Sequence, residues 1–125
     1  MGLTLDTGAL IALQRDSHRA WRLVFAYQRR NQDITVPTPV LAQFWRAGWV
    51  APRLRALMGQ VDFEPTTTVL ARQAGELLGQ TDTSDAVDAI VACGAAARGD
   101  VILTSDPEDL QRLTAGLGTV RVLAV

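Results

Sequence analysis

Apolar positions along this chain switch between two spacings, one of short unbroken runs and one of helical repeats. Leu3-Thr4-Leu5, Ile34-Thr35-Val36, Val61-Asp62-Phe63, Val101-Ile102-Leu103-Thr104 and Val120-Arg121-Val122-Leu123 predict strands. The fourth run has β-branched residues and no polar alternation, which predicts a strand buried on both faces. Helices are predicted over Ala9 to Leu13, from a Ser17 cap to about Arg30, and from Val40 to Arg46, the last led in by Pro37-Thr38-Pro39 and ended by Gly48. Further helices are expected from Pro52 to Leu57 or Met58, Thr67 to Gly79, Asp85 to Arg98 with Gly99 as its stop, and from Ser105-Asp106-Pro107 to Gly116. Trp21, Val24 and Phe25 form the expected buried stripe of the second helix. Strands alternating with helices predict an α/β fold with a mostly parallel sheet of four or five strands flanked by helices. At 125 residues the chain is expected to form one domain, 1–125.

Composition removes several chemistries. Hydrophobic residues at 48% and charged residues at 20% are those of a folded globular chain. No apolar run approaches the ~20 residues of a membrane span, and Met1 to Asp6 has no basic leader, so a cytoplasmic protein is expected. Cys93 is the single cysteine, which excludes an intramolecular disulfide and a thiolate zinc cluster; its Ala-rich setting reads as core. His18 is the single histidine and lies in a polar, surface-like segment. All twelve basic residues are arginine, so a phosphate-loop lysine, a Schiff-base amine and the lysine of phosphoaspartate enzymes are absent. Carboxylate chemistry remains.

Asp6 and Asp106 each fall where a strand turns into a helix, at the carboxyl edge of a parallel sheet where ligands bind. Asp85 and Asp88, three residues apart in TSDAVDA, can share a helix face. Two accounts of these acids stay open. They can cap helices, with Asp85 and Asp106 as N-caps and Asp88 at the third helical position. They can also gather at one edge, where mutual repulsion would call for a cation, and oxygen ligands without Cys or His favour Mg²⁺ or Mn²⁺. Arg15, Arg19, Arg22 and Arg46 are candidate phosphate contacts, or members of a solvated face on a chain of net charge −1.

Three blocks, LDTGALIAL, VPTPVLAQFWR and SDAVDAIVACGAAARGDVILTSDPEDL, in this order and spacing, give the chain a resemblance over nearly its whole length to the PIN domain, and within it to the VapC toxins of bacterial VapBC toxin–antitoxin pairs. The resemblance implies a PIN-like domain and a Mg²⁺- or Mn²⁺-dependent endoribonuclease. Asp6, Asp88 and Asp106 would hold the metal, with Asp85 as a supporting acid and Asp109 as a further candidate. It also implies a cognate VapB-like antitoxin, an RNA substrate and a homodimer. Arg15 and Arg46 would be RNA or antitoxin contacts. Phe44, Trp45 and Trp49 are expected in the core by their spacing, and by resemblance are candidate antitoxin or dimer contacts. The chain departs from the family at the second acid, usually glutamate, where Gln43 stands. An amide oxygen can ligate a hard cation but adds no charge. A PIN-like module that binds RNA or protein without cleaving is therefore the alternative.

Overall fold

A computed structural model describes residues 1–83 and 85–125, with all of their side chains except that of Ala47. Ser84, part of the TSDAVDA motif, lies outside the described residues. The strands are β1 (Leu3–Leu5), β2 (Ile34–Pro37), β3 (Asp62–Glu64), β4 (Val101–Thr104) and β5 (Val122–Ala124). The helices among the described residues are α1 (Thr7–Gln14), α2 (His18–Arg29), α3 (Thr38–Phe44), α4 (Pro52–Met58), α5 (Thr68–Gln80), α6 (Ala86–Arg98) and α7 (Pro107–Thr114), and a 3-10 turn over Trp45–Ala47 extends α3. The five strands form one sheet in the order β3-β2-β1-β4-β5, and each neighbouring pair is parallel.

The order reverses direction between β1 and β4. From β1 the chain steps outward through β2 to β3, then crosses to β4 and β5 on the other side. Right-handed crossovers put the helices of the two halves on opposite faces, and the packing agrees: α1 contacts α2 and α3, while α6 contacts α5 and α7. At such a reversal the loops after the two central strands diverge and leave a crevice at the carboxyl edge. The loops concerned are those of Asp6 and Ser105-Asp106.

Local chemistry explains most boundaries. The Ser17 hydroxyl accepts from Ala20 N–H and the Thr67 hydroxyl from Leu70 N–H, so each caps its helix. Gly48 and Gly99 end their elements in the left-handed region, at φ 66° and 70°. Helix α7 stops at Thr114 rather than Gly116, and the Thr114 hydroxyl donates back to the Leu110 carbonyl at 2.8 Å. The last strand falls on 122–124 instead of 120–123, since Val122 takes register with Ile102.

The core runs through both layers. Leu3, Leu5, Val36, Ile102 and Leu103 from the sheet meet Leu10, Val40, Leu54, Ala89 and Leu110 from the helices, and Cys93 is buried as expected. Thr4 is buried on the central strand because its hydroxyl is satisfied: it donates to Asp100 Oδ2 at 2.8 Å and accepts from Arg98 Nη2 at 2.9 Å. Arg98 also pairs with Asp100 through Nε at 2.9 Å and with Glu64, and thereby ties the end of α6 to three strands.

Three aromatic expectations are corrected. Phe25 is 41% exposed: the Arg53 guanidinium is centred on Trp21, 4.1 Å from its ring centre, and at 5.2 Å covers Phe25 only in part. Trp45 and Trp49 are exposed, not in the core: the 3-10 turn and Gly48 carry the chain outward before Val50 returns to the interior. Phe44 alone of that group packs against the core.

Gly8 fixes how closely the two central loops approach. A Cβ there would stand 2.0 Å from Ser105 Oγ and 2.9 Å from Ser105 Cβ. Gly8→Ala should therefore destabilise the fold by ~1–3 kcal/mol in denaturant titrations, the usual range for overpacking, and Ser105→Gly should recover most of the loss. An unchanged midpoint in Gly8→Ala would contradict this close approach.

Candidate active site

Asp6 leaves β1 and begins α1. Its carboxylate is buried, and Oδ1 accepts from Ala9 N–H at 2.8 Å, so it caps the helix it precedes. It also receives a hydrogen bond from the hydroxyl of Thr104, the last residue of β4. The same hydroxyl accepts from Asp106 N–H at 3.0 Å. Thr104 thus links the two central loops, a role that the TSD triplet did not reveal before its partners were known. Asp85 caps α6, its Oδ1 accepting from Asp88 N–H at 3.0 Å. Asp106 occupies the cap position of α7 but makes no side-chain capping bond, which corrects the expected N-cap. Asp106 is exposed at the crevice.

Capping and convergence therefore coexist. Desolvation raises the Asp88 carboxyl from 3.8 to about 7, aided by the charges of Asp85, Asp6, Asp109 and Asp106 in that order. Acids from three separate elements must lie near one another for Asp88 to feel all four. Asp6 is also raised, chiefly by burial, against hydrogen bonds from Thr104 and Ala9 that favour its charged form. Asp106 is raised mainly by a hydrogen bond shared with the Asp109 carboxyl, which brings Asp109 into the group. Among the described residues, no three Asp, Glu, His or Cys side chains are already gathered within metal-binding reach. The acids converge without forming a finished cage.

Gln43 reaches the same place from α3. Its Oε1 accepts from the Thr7 hydroxyl at 2.5 Å, one residue beyond Asp6. The candidate arginines are more distant. Arg15 follows the last residue of α1, about 12 Å of helix from Asp6, and Arg46 lies nearly a turn beyond Gln43; both are exposed. Arg19 Nε donates to the Ala124 carbonyl at 2.7 Å and braces the end of β5. Arg22 is exposed beside Trp21 and Phe25. A cavity of about 530 Å³ opens at the opposite, amino end of the sheet, lined by Thr35, Asp62, Glu64, Arg98 and Asp100 among others. Two of its acids, Glu64 and Asp100, share the Arg98 guanidinium.

The family model described as PIN domain matches residues 3–116. The chain belongs to the PIN-domain family. No curated protein matches it. Among solved structures, this PIN domain is similar to VapBC2 from Rickettsia felis bound to a promoter DNA fragment, at 16% identity and a TM-score of 0.73, over 100% of this chain and 99% of that one. It is also similar to a toxin–antitoxin complex from Klebsiella pneumoniae, at 16% identity and 0.75, over 99% and 97%. DNA-bound VapBC from Salmonella typhimurium gives 15% and 0.69, over 99% and 98%. At these identities the likeness is one of fold. No helix among the described residues is long and apolar enough to cross a membrane.

The electrostatics of this PIN domain carry a pH signature. The folded Asp88 carboxyl lies above its unfolded value, so the folded chain holds an extra proton between about pH 4 and about pH 7. Stability from this group is fully present below about pH 4 and is lost as pH rises through 7. With solvent screening at a half-buried site, the loss should be on the order of 1–2 kcal/mol. In metal-free buffer, Asp88→Asn should gain stability over the parent as pH rises through this window, read by thermal unfolding at several pH values. A difference that stays constant with pH would remove the repulsion argument.

Proposed function

We propose that this PIN domain, acting as one unit over 1–125, is a metal-dependent endoribonuclease toxin of the VapC type. The observation that carries the reading is the convergence of Asp6, Asp85, Asp88, Asp106 and Asp109 at the strand-order reversal. An oxygen-only donor set of this charge fits Mg²⁺ or Mn²⁺. Asp6, Asp88 and Asp106 would hold the ion, drawn together from positions that are near but not assembled. A divalent ion bound there supplies Lewis acidity toward a phosphodiester and lowers the pKa of an attacking water.

The remaining work falls to the protein's own groups. Thr104 orients the Asp6 carboxylate while holding the Asp106 backbone, so the two central acids share one geometry. Asp85 keeps α6 started at the residue that aligns Asp88. Asp88 keeps its proton near neutral pH in the empty site and would give it up to solvent when it binds an ion as a carboxylate, so metal uptake would release that proton. The chemistry needs neither lysine nor histidine, in keeping with the composition.

A VapB-like antitoxin and a homodimer complete the proposal, in the cytoplasm. Residues 1–60 carry eight arginines against three aspartates, while residues 61–125 carry ten acids against four arginines. Arg15 and Arg46, with the exposed Trp45 and Trp49, are proposed to meet the antitoxin or RNA, since an apolar, basic surface suits an acidic partner. A second reading, a PIN domain that binds RNA or protein without cleaving it, draws support from the neutral Gln43 and the unassembled acids.

Purified protein freed of any partner should cleave a labelled pool of cellular RNA only with Mg²⁺ or Mn²⁺. Asp6→Asn should lose at least ~100-fold of that activity while staying folded, since even groups behind a metal ligand are worth 10–100-fold. Matched DNA strands should be cut less. Folded wild type that cleaves nothing with either ion would favour the binding module.

A further inference from the structure

We propose that Gln43 leaves the metal site of this chain incomplete until RNA arrives, so that a phosphodiester oxygen supplies the anionic ligand that residue 43 does not. The inference rests on the nuclease reading and adds an order to its binding events. Its basis is the hydrogen bond from the Thr7 hydroxyl to Gln43 Oε1 at 2.5 Å. That bond takes one of the two lone pairs of the amide oxygen, and what remains is a neutral oxygen beside N–H donors, none of which brings negative charge to a cation. The bond also holds α3 to the start of α1, so the amide is kept beside Asp6 without adding charge to it.

Asp6 has limited capacity to compensate. Its Oδ1 is committed to Ala9 N–H at 2.8 Å, and the carboxylate also receives the Thr104 hydroxyl. Asp85 is likewise committed to Asp88 N–H. With no three acidic, histidine or cysteine side chains assembled among the described residues, one further anionic oxygen decides whether a divalent ion is held. A phosphodiester brings such an oxygen, and the ion in turn neutralises the repulsion between that phosphate and the acids. Metal and RNA should therefore bind with positive coupling, and by linkage each strengthens the other by the same factor.

The test is Mn²⁺ binding followed by the electron paramagnetic resonance of the free ion. It is run on the protein alone, with a mixed-sequence RNA oligonucleotide, and with the same oligonucleotide carrying uncharged methylphosphonate links, with ion bound by each oligonucleotide alone subtracted. RNA should tighten Mn²⁺ at least ~10-fold, within the usual range of coupling between sites, and the uncharged strand should not. Gln43→Glu should bind Mn²⁺ tightly without RNA and lose most of the coupling. Equal Mn²⁺ affinity with and without RNA would overturn the inference while leaving the nuclease reading standing. Wild type that binds neither Mn²⁺ nor RNA would overturn both. Should Gln43→Glu not fold, the wild-type titrations alone decide.

Discussion

Carboxylates forced together at one edge of a parallel sheet are the constraint to which the rest of this molecule answers. Buried like charges are unfavourable, and the fold nevertheless brings acids from the ends of β1 and β4 and from the start of α6 into one crevice. Part of the cost is met locally: Asp6 and Asp85 each accept a helix N–H, and Thr104 adds a hydroxyl. The remainder shows as a proton retained on Asp88. A crevice that holds protons when empty of cations is one in which a divalent ion has a strong electrostatic reason to bind.

The framework that keeps the acids in place is built at both ends of the sheet. At the carboxyl edge, Gly8 allows the start of α1 to touch Ser105, and Thr104 spans the same gap by hydrogen bonds. At the amino edge, Arg98 joins Glu64, Asp100 and Thr4, and Gly94 leaves the space for it, since a Cβ there would lie 2.6 Å from Glu64 Oε1. Helix α6 is thus anchored by its last turn and presents Asp85 and Asp88 with its first. Arg98 is partly buried and pairs with both Glu64 and Asp100, which makes its corner of the amino-end cavity part of the framework.

Gln43 gives this PIN domain its individual character. The residue reaches the acid edge from α3, but as a neutral side chain bonded to Thr7. The negative charge available to a cation at this edge is therefore left to the aspartates.

The element order, the parallel α/β class and the location of Asp6 and Asp106 at strand ends were legible in the sequence, because they depend on local spacing and on turn and cap chemistry. The resemblance likewise singled out Asp88 and the missing acid at Gln43. Other features were decided only by the tertiary structure. Phe25, Trp45 and Trp49 match helical or apolar patterns, yet all three are exposed, since exposure depends on which neighbour arrives: only an arginine partly covers Phe25, and the 3-10 turn carries the tryptophans outward. Asp106 looks like a cap and is not one. The Thr104 link, the Thr7 bond to Gln43 and the Gly8 approach to Ser105 join residues 36 to 98 positions apart, and no local pattern encodes them. Spacing specifies elements because backbone geometry is local; a site is specified by side chains from distant elements meeting, and only the packed sheet brings them together.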